Sequence, residues 1–221
     1  MCPMPMNPSF PLAAVAALVS LVGLAACTRA PEASLDAFTQ AMTVYLSERG
    51  QLCLAKDAWP IDVTQHEVDV GARNALQMPV LDRLGLVSSS VAQVDVNDEG
   101  TVHRMAVRRY VLTDAGRRYF VRRGPAKTSG AASIRSDFCA AKLSLDRVVD
   151  WKLDTNPRNL ARRATVTYTY HVDAAPWTND PQVQKVFPVV AGVIRGAGTA
   201  QLQETFSLTE TGWVAVDLPV S

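Results

Sequence analysis

The chain has 221 residues, 48% of them hydrophobic and 19% charged, with 22 basic and 21 acidic side chains and a formal net charge of +1. That length allows one large domain or two small ones, and the lack of any repeat at a fixed period excludes solenoids and propellers. The near-neutral total conceals an uneven distribution: residues 28–103 carry a net −6, residues 104–127 a net +7, and residues 128–221 balance nine basic against nine acidic groups.

From Phe10 to Ala26 the chain is uncharged and apolar or small, and it closes on Leu24-Ala25-Ala26-Cys27 before a polar, proline-containing stretch, Thr28 to Ala33. This run resembles the lipobox of bacterial lipoproteins, in which small residues admit a signal peptidase that cuts before a cysteine destined for acylation. The resemblance implies a signal peptide over 1–26, lipidation of Cys27 and a tether over 27–33. Two or more acyl chains give stable anchoring, where a single chain binds a membrane only marginally. Thr28, where inner-membrane retention usually has Asp, implies the outer membrane, with the folded part facing the periplasm or the cell surface. Seventeen such residues also reach the short end of a membrane-spanning helix, and Met1 to Pro11 lacks the usual basic residues of a signal peptide. Gly23 and the small residues before Cys27 favour the cleaved signal.

Cleavage at that point changes the cysteine arithmetic. Cys2 leaves with the signal and Cys27 takes lipid, so Cys53 and Cys139 remain. In an oxidising envelope compartment such a pair reads as a disulfide; the alternative is two buried thiols packed as small hydrophobes.

The first folded segment is expected over 34–123. Ser34 suits a helix cap, and Leu35, Phe38, Met42, Tyr45 and Leu46 fall at helical spacing before Gly50. Ile61-Asp62-Val63 alternates like a strand; His66-Glu67-Val68-Asp69 is the only compact cluster of possible ligands, and on a strand His66 and Val68 would face one way and Glu67 and Asp69 the other. A short helix from Pro79 to Leu84 stops at Gly85. Val87 to Val96 and Val102 to Leu112 form a hairpin around Asn97-Asp98-Glu99-Gly100. Thr113 then caps a helix from Asp114 to Val121.

Leu81-Asp82-Arg83-Leu84-Gly85-Leu86-Val87, the hairpin, and Tyr110-Val111-Leu112-Thr113-Asp114-Ala115-Gly116-Arg117-Arg118 resemble the end of the recognition helix, the wing and the closing helix of winged-helix regulators. The match spans residues 79–121 and implies a winged-helix-like α/β subdomain. A groove-reading helix needs more length than Pro79 to Leu84, Pro79 opposes its extension backwards, and a fold does not by itself carry a function. The net +7 segment lies here, in Arg104, Arg108, Arg109, Arg117, Arg118, Arg122 and Arg123 together with Lys127. Guanidinium groups bind phosphate or carboxylate bidentately, so this band is a candidate anion-binding surface for lipid headgroups, envelope glycans or an acidic protein. The alternative is a solvated face whose charges pair with the acidic residues before it. A lipid anchor argues against nucleic acid.

A Gly-, Pro- and Ser-rich break over 124–133 is the candidate linker to a second subdomain, 134–221. Ala164, Val166, Tyr168, Tyr170 and Val172 alternate with Thr165, Thr167, Thr169, His171 and Asp173, the signature of a half-buried strand. Asp180-Pro181 begins a helix that Pro188 kinks or ends before Val189 to Ile194. Ala200 to Leu208 and Trp213 to Leu218 form a hairpin, and Val148 to Leu153 completes an antiparallel sheet of about four strands packed with a helix. The fold class is therefore α+β.

Chemistry is sparse. His66, His103 and His171 lack metal-ligand spacing, no phosphate loop, nucleophile elbow or paired-cysteine redox motif is present, and no metal or cofactor is expected. An acid pair such as Asp150 and Asp154 is of the type that serves glycoside hydrolysis, but surface solvation is the role expected of it. Trp177, between Pro176 and Thr178, is the expected exposed aromatic contact, in a loop Ala175 to Pro181 that an enzyme inhibitor would insert. The reading is a non-enzymatic envelope lipoprotein, membrane-held through Cys27, that binds a protein, lipid or glycan. A lipid-anchored inhibitor or immunity factor and a winged-helix DNA binder are the alternatives.

Overall fold

Ser34 opens the first helix as its composition suggests: its hydroxyl accepts the Ala37 N–H at 3.2 Å, and α1 runs Leu35–Arg49. The structure, a computed structural model, describes residues 32–98, 100–123, 135–154 and 162–218. The segment 1–26, Cys27 and the expected linker 124–133 lie outside the described residues. Phe38, Ala41, Met42 and Leu46 form the buried stripe of α1, whereas Leu35, at the helix start, is exposed. Gly50 ends the helix where the chain passes hard against a strand; a Cβ there would stand 2.5 Å from the Leu143 carbonyl.

Two antiparallel sheets follow, and the fold is α+β. In the smaller sheet β2 (Ile61–Thr64) pairs with β4 (Thr101–Leu112), which pairs along its whole length with β3 (Val87–Asp98). Gly100, at φ +87°, closes that hairpin, a conformation that costs glycine little. Between β2 and β3 lie α2 (Gln65–Asp69) and α3 (Arg73–Arg83). α2 falls where the sequence reading assigns no element, and α3 differs from that reading in extent. His66 to Asp69 is helical, because Thr64 and Glu67 form a reciprocal capping box that satisfies the first backbone donors. The helix expected at Pro79 begins six residues earlier and passes through the proline. Fully buried Met78 and Leu81 on either side supply packing that offsets the lost backbone bond.

After β4 the Thr113 hydroxyl accepts the Gly116 N–H and caps α4, which ends at Arg117 (Asp114–Arg117) rather than at Val121. Gly116 sits so close to the Leu86 carbonyl that a Cβ would stand 1.9 Å from it. Phe120 to Arg123 form β5, which pairs with the start of β6 (Arg135–Leu153).

The larger sheet runs β1 (Gln51–Cys53), β6, β7 (Arg163–Ala174), β8 (Leu202–Thr209), β9 (Gly212–Ala215), with β5 as a further strand on β6. It therefore has six strands among the described residues rather than about four. β6 extends well before Val148; its residues Phe138 to Ala141 are buried in succession, so they lack the alternation that marks a half-buried strand. Register shifts at Leu145/Arg147 and Val148/Asp150 bend it.

That bend lets one strand serve two cores. Phe38, Met42 and Leu46 of α1 pack with Val148, Ala164, Val166, Tyr168, Phe206 and Trp213. On the other side Phe138 and Ala140 join Ile61, Val63, Met78, Leu81, Val87, Tyr110 and Trp177. This second core is completed by α5 (Pro181–Val186) and α6 (Pro188–Arg195), with Val183, Phe187 and Val190. Each core thus draws on residues from both sides of 124–133. Pro188 occupies the first position of a new helix, where its missing N–H costs nothing.

Candidate functional site

The disulfide forms as the cysteine arithmetic indicated. Cys53 faces Cys139 across the β1–β6 ladder, bonded at 2.04 Å with a sequence separation of 86. It ties the strand that follows α1 to the middle of the molecule.

The basic band is divided by the alternation of β4. Arg108 and Arg109 are consecutive strand residues and so face opposite ways. Arg109 makes a bidentate pair with Asp62 on β2, Nε to Oδ1 and Nη2 to Oδ2 both at 2.7 Å. That contact holds the Asp62 carboxyl below the usual carboxylate range and the guanidinium above its own. Arg104 lies 3.4 Å from Asp95 across the hairpin, and Arg117 pairs with Asp114 within α4. Arg108 donates to the Ser89 hydroxyl at 3.3 Å. Arg118, the C-cap of α4, and Arg122 on β5 are exposed and make no ion pair with a described residue. Arg123 closes β5, and its side chain is outside the described set. Three of the six arginines with described side chains are therefore engaged by carboxylates, which leaves Arg108, Arg118 and Arg122 as the accessible cations among them.

The hairpin carrying part of this band stands away from both cores. None of the described side chains from Val91 to Ala106 is buried, and Val91 is 76% exposed and Val102 64%. Its root faces α2 and α3 across a groove of about 420 Å³ lined by Val63, Val68, Pro79, Val91 and Arg108.

All three histidines are exposed, and among the described residues no group of three or more His, Cys, Asp and Glu side chains is placed to hold a metal ion. One polar cluster escaped the sequence. At a bulge in β6, Asp146 accepts the Thr169 hydroxyl at 2.7 Å and stands 3.1 Å from His171 Nε2. Thr169 is buried and its hydroxyl donates to the carboxylate, not to the imidazole, so the arrangement fixes the bulge rather than activating a nucleophile. Only a register shift brings these groups together, and no spacing in the sequence signals it. Asp150 and Asp154 are both exposed and lie four residues apart along extended chain, about 13 Å, beyond the reach of a glycosidase acid pair.

Trp177 is not an exposed contact. It lies in a 3-10 turn, Pro176–Asn179, buried against Tyr119 and Phe138 with ring centroids at 5.9 and 5.8 Å. The turn N–H to carbonyl bonds and the Asp180 cap of α5 draw the loop Ala175 to Pro181 inward. Among the described residues no helix is long and apolar enough to cross a membrane.

Comparison of the chain with protein-family models, with curated proteins and with solved structures gives no match.

Proposed function

We propose that the protein is a non-enzymatic lipoprotein of a bacterial cell envelope, anchored in the outer membrane through acylated Cys27, whose folded part binds a protein, lipid or glycan partner in the periplasm or at the cell surface. The observation that carries this reading is the Cys53–Cys139 disulfide. Disulfides persist in oxidising compartments, and once these two cysteines are joined, Cys27 is the one left over after removal of residues 1–26. The lipobox resemblance gives that residue its use. Among the described residues of the basic band, the cations available to an anionic partner are Arg108, Arg118 and Arg122.

Fractionation of cells tests the reading. The wild-type protein is expected to sediment with outer membranes and to resist a carbonate wash, and Cys27→Ala to be released or retained unprocessed in the inner membrane. Recovery of wild-type protein in the cytosol with free thiols at Cys53 and Cys139 would contradict it.

One observation favours a second reading. The order β2, α2, α3, β3, β4 with sheet order β2-β4-β3 extends the winged-helix resemblance beyond 79–121. Yet the exposed face of α3 sets Arg73 beside the apolar Leu76 and Pro79, and Arg83 is held by Asp180 at 2.8 Å, a poor set for reading base edges. A gel shift at low salt is expected to show no DNA binding.

A further inference from the structure

The β3–β4 hairpin runs past the support of β2, which pairs only with residues 107–110 of β4. From Val91 to Ala106 the arm is a ribbon of two strands, and such a ribbon is marginal in water without a third strand or a covering element. Among the described residues no strand pairs with the other edge of β3, which ends the sheet order β2-β4-β3. Folded proteins blunt free edges with Lys, Pro, bulges or short strands. β3 is instead long and pairs with β4 without a register shift, and from Val87 to Val94 it carries no charge and no proline. Val91 on one face of the arm, and Val96 and Met105 on the other, are exposed.

This edge is complementary to itself. A second copy that pairs antiparallel about a two-fold axis at Gln93 keeps each face of β3 continuous with the same face of its mate, as the two-residue period of a strand requires. Gln93 then faces Gln93, Ala92 faces Val94, and Val91 faces Asp95. Val91 lies opposite Arg108 within its own hairpin and Asp95 opposite Arg104, so the row across four strands reads Arg108, Val91, Asp95, Arg104. Asp95, 3.4 Å from Arg104 of its own chain, gains Arg108 of the other copy, an exposed cation that makes no ion pair with a described residue. An axis at Asp95 would set two carboxylates face to face. The outer edge of β4 carries Arg104 in the middle of its uncovered stretch, and symmetric pairing there would bring two arginines together.

We propose that the protein self-associates through β3: two copies pair antiparallel over residues 90–96 about Gln93, joining two hairpins into one four-stranded sheet, with Asp95 of each copy drawn to Arg108 of the other. The inference concerns the folded part and does not depend on the lipid anchor. A pairing this short makes a small interface, so a micromolar rather than a nanomolar dimer is expected. Sedimentation of the full chain in mild detergent tests it, with cysteine cross-linking to read the register. A reversible monomer–dimer equilibrium is expected. Gln93→Lys sets two cations face to face and Arg108→Glu sets an acid near Asp95; each is expected to weaken the dimer at least tenfold, and Arg108→Lys to keep it. Gln93→Cys is expected to give a disulfide-linked dimer on mild oxidation. Val102→Cys, whose two copies lie about 30 Å apart in this register, is expected to give no more than the parent chain. Circular dichroism checks that each variant folds. A monomer up to millimolar concentration, a dimer that folded Gln93→Lys or Arg108→Glu leaves unchanged, or cross-linking at Val102 in place of Gln93 overturns the proposal.

Discussion

The Asp62–Arg109 pair shows what a single contact contributes and why sequence pattern did not reveal it. Asp62 was legible as a strand residue, and Arg109 as part of a basic run, but their meeting depends on the β2–β4 register, which sets Asp62 opposite Arg109. Arg109 lowers the Asp62 pKa chiefly by hydrogen bonding to the ionised form. A carboxyl whose folded pKa lies below its unfolded value adds stability above the unfolded value and loses it as pH falls through the folded one. Arg109→Gln is therefore expected to lower the urea midpoint at pH 7, and the gap from the parent to close as pH drops below the ordinary carboxylate range. A gap that is constant from pH 7 to pH 2 would show that the pair acts through packing alone. The Asp146 cluster was hidden for a related reason, since it is created by the approach of distant segments.

At the scale of elements, sequence signals held where the cause is local. The Ser34, Thr113 and Asp180 caps sit at the helix starts that they mark, and the β3–β4 and β8–β9 hairpins turn at their glycines. Signals weakened where tertiary packing overrides a local preference. Proline in a helix interior costs about 3 kcal/mol, yet α3 continues through Pro79 because Met78, Val80 and Leu81 are buried beside it. Pro79 itself is exposed, so Pro79→Ala restores a backbone donor without disturbing the core. It is expected to stabilise the fold by about 2 kcal/mol, the helix gain less about 1 kcal/mol of extra freedom in the unfolded chain. A lower urea midpoint for this variant would mean that the proline shapes α3 in a way its neighbours require. The capping box at Thr64 and Glu67 differs in kind: its Thr-x-x-Glu spacing is local and readable in the sequence.

In the whole molecule, α1 covers the larger sheet while residues 176–195 complete the core beneath α3, so the chain crosses between its two cores in both directions. Composition showed a break at 124–133 but not this exchange, because strand periodicity says nothing about which strands pair. The disulfide closes 86 residues across that exchange, and loop-closure entropy gives it roughly 4–5 kcal/mol of stabilisation. Replacing both Cys53 and Cys139 by Ala is expected to lower unfolding free energy by up to that amount in one cooperative transition. Two separated transitions, with α1 and its sheet melting apart from the rest, would contradict the interlocked cores.

The central claim is that Cys27 carries the anchor, and metabolic labelling with a clickable palmitate analogue tests it most directly. Label is expected on a mature protein lacking residues 1–26, and none on Cys27→Ala. An unlabelled wild-type protein that keeps its first 26 residues, or label that persists in Cys27→Ala, would contradict the claim.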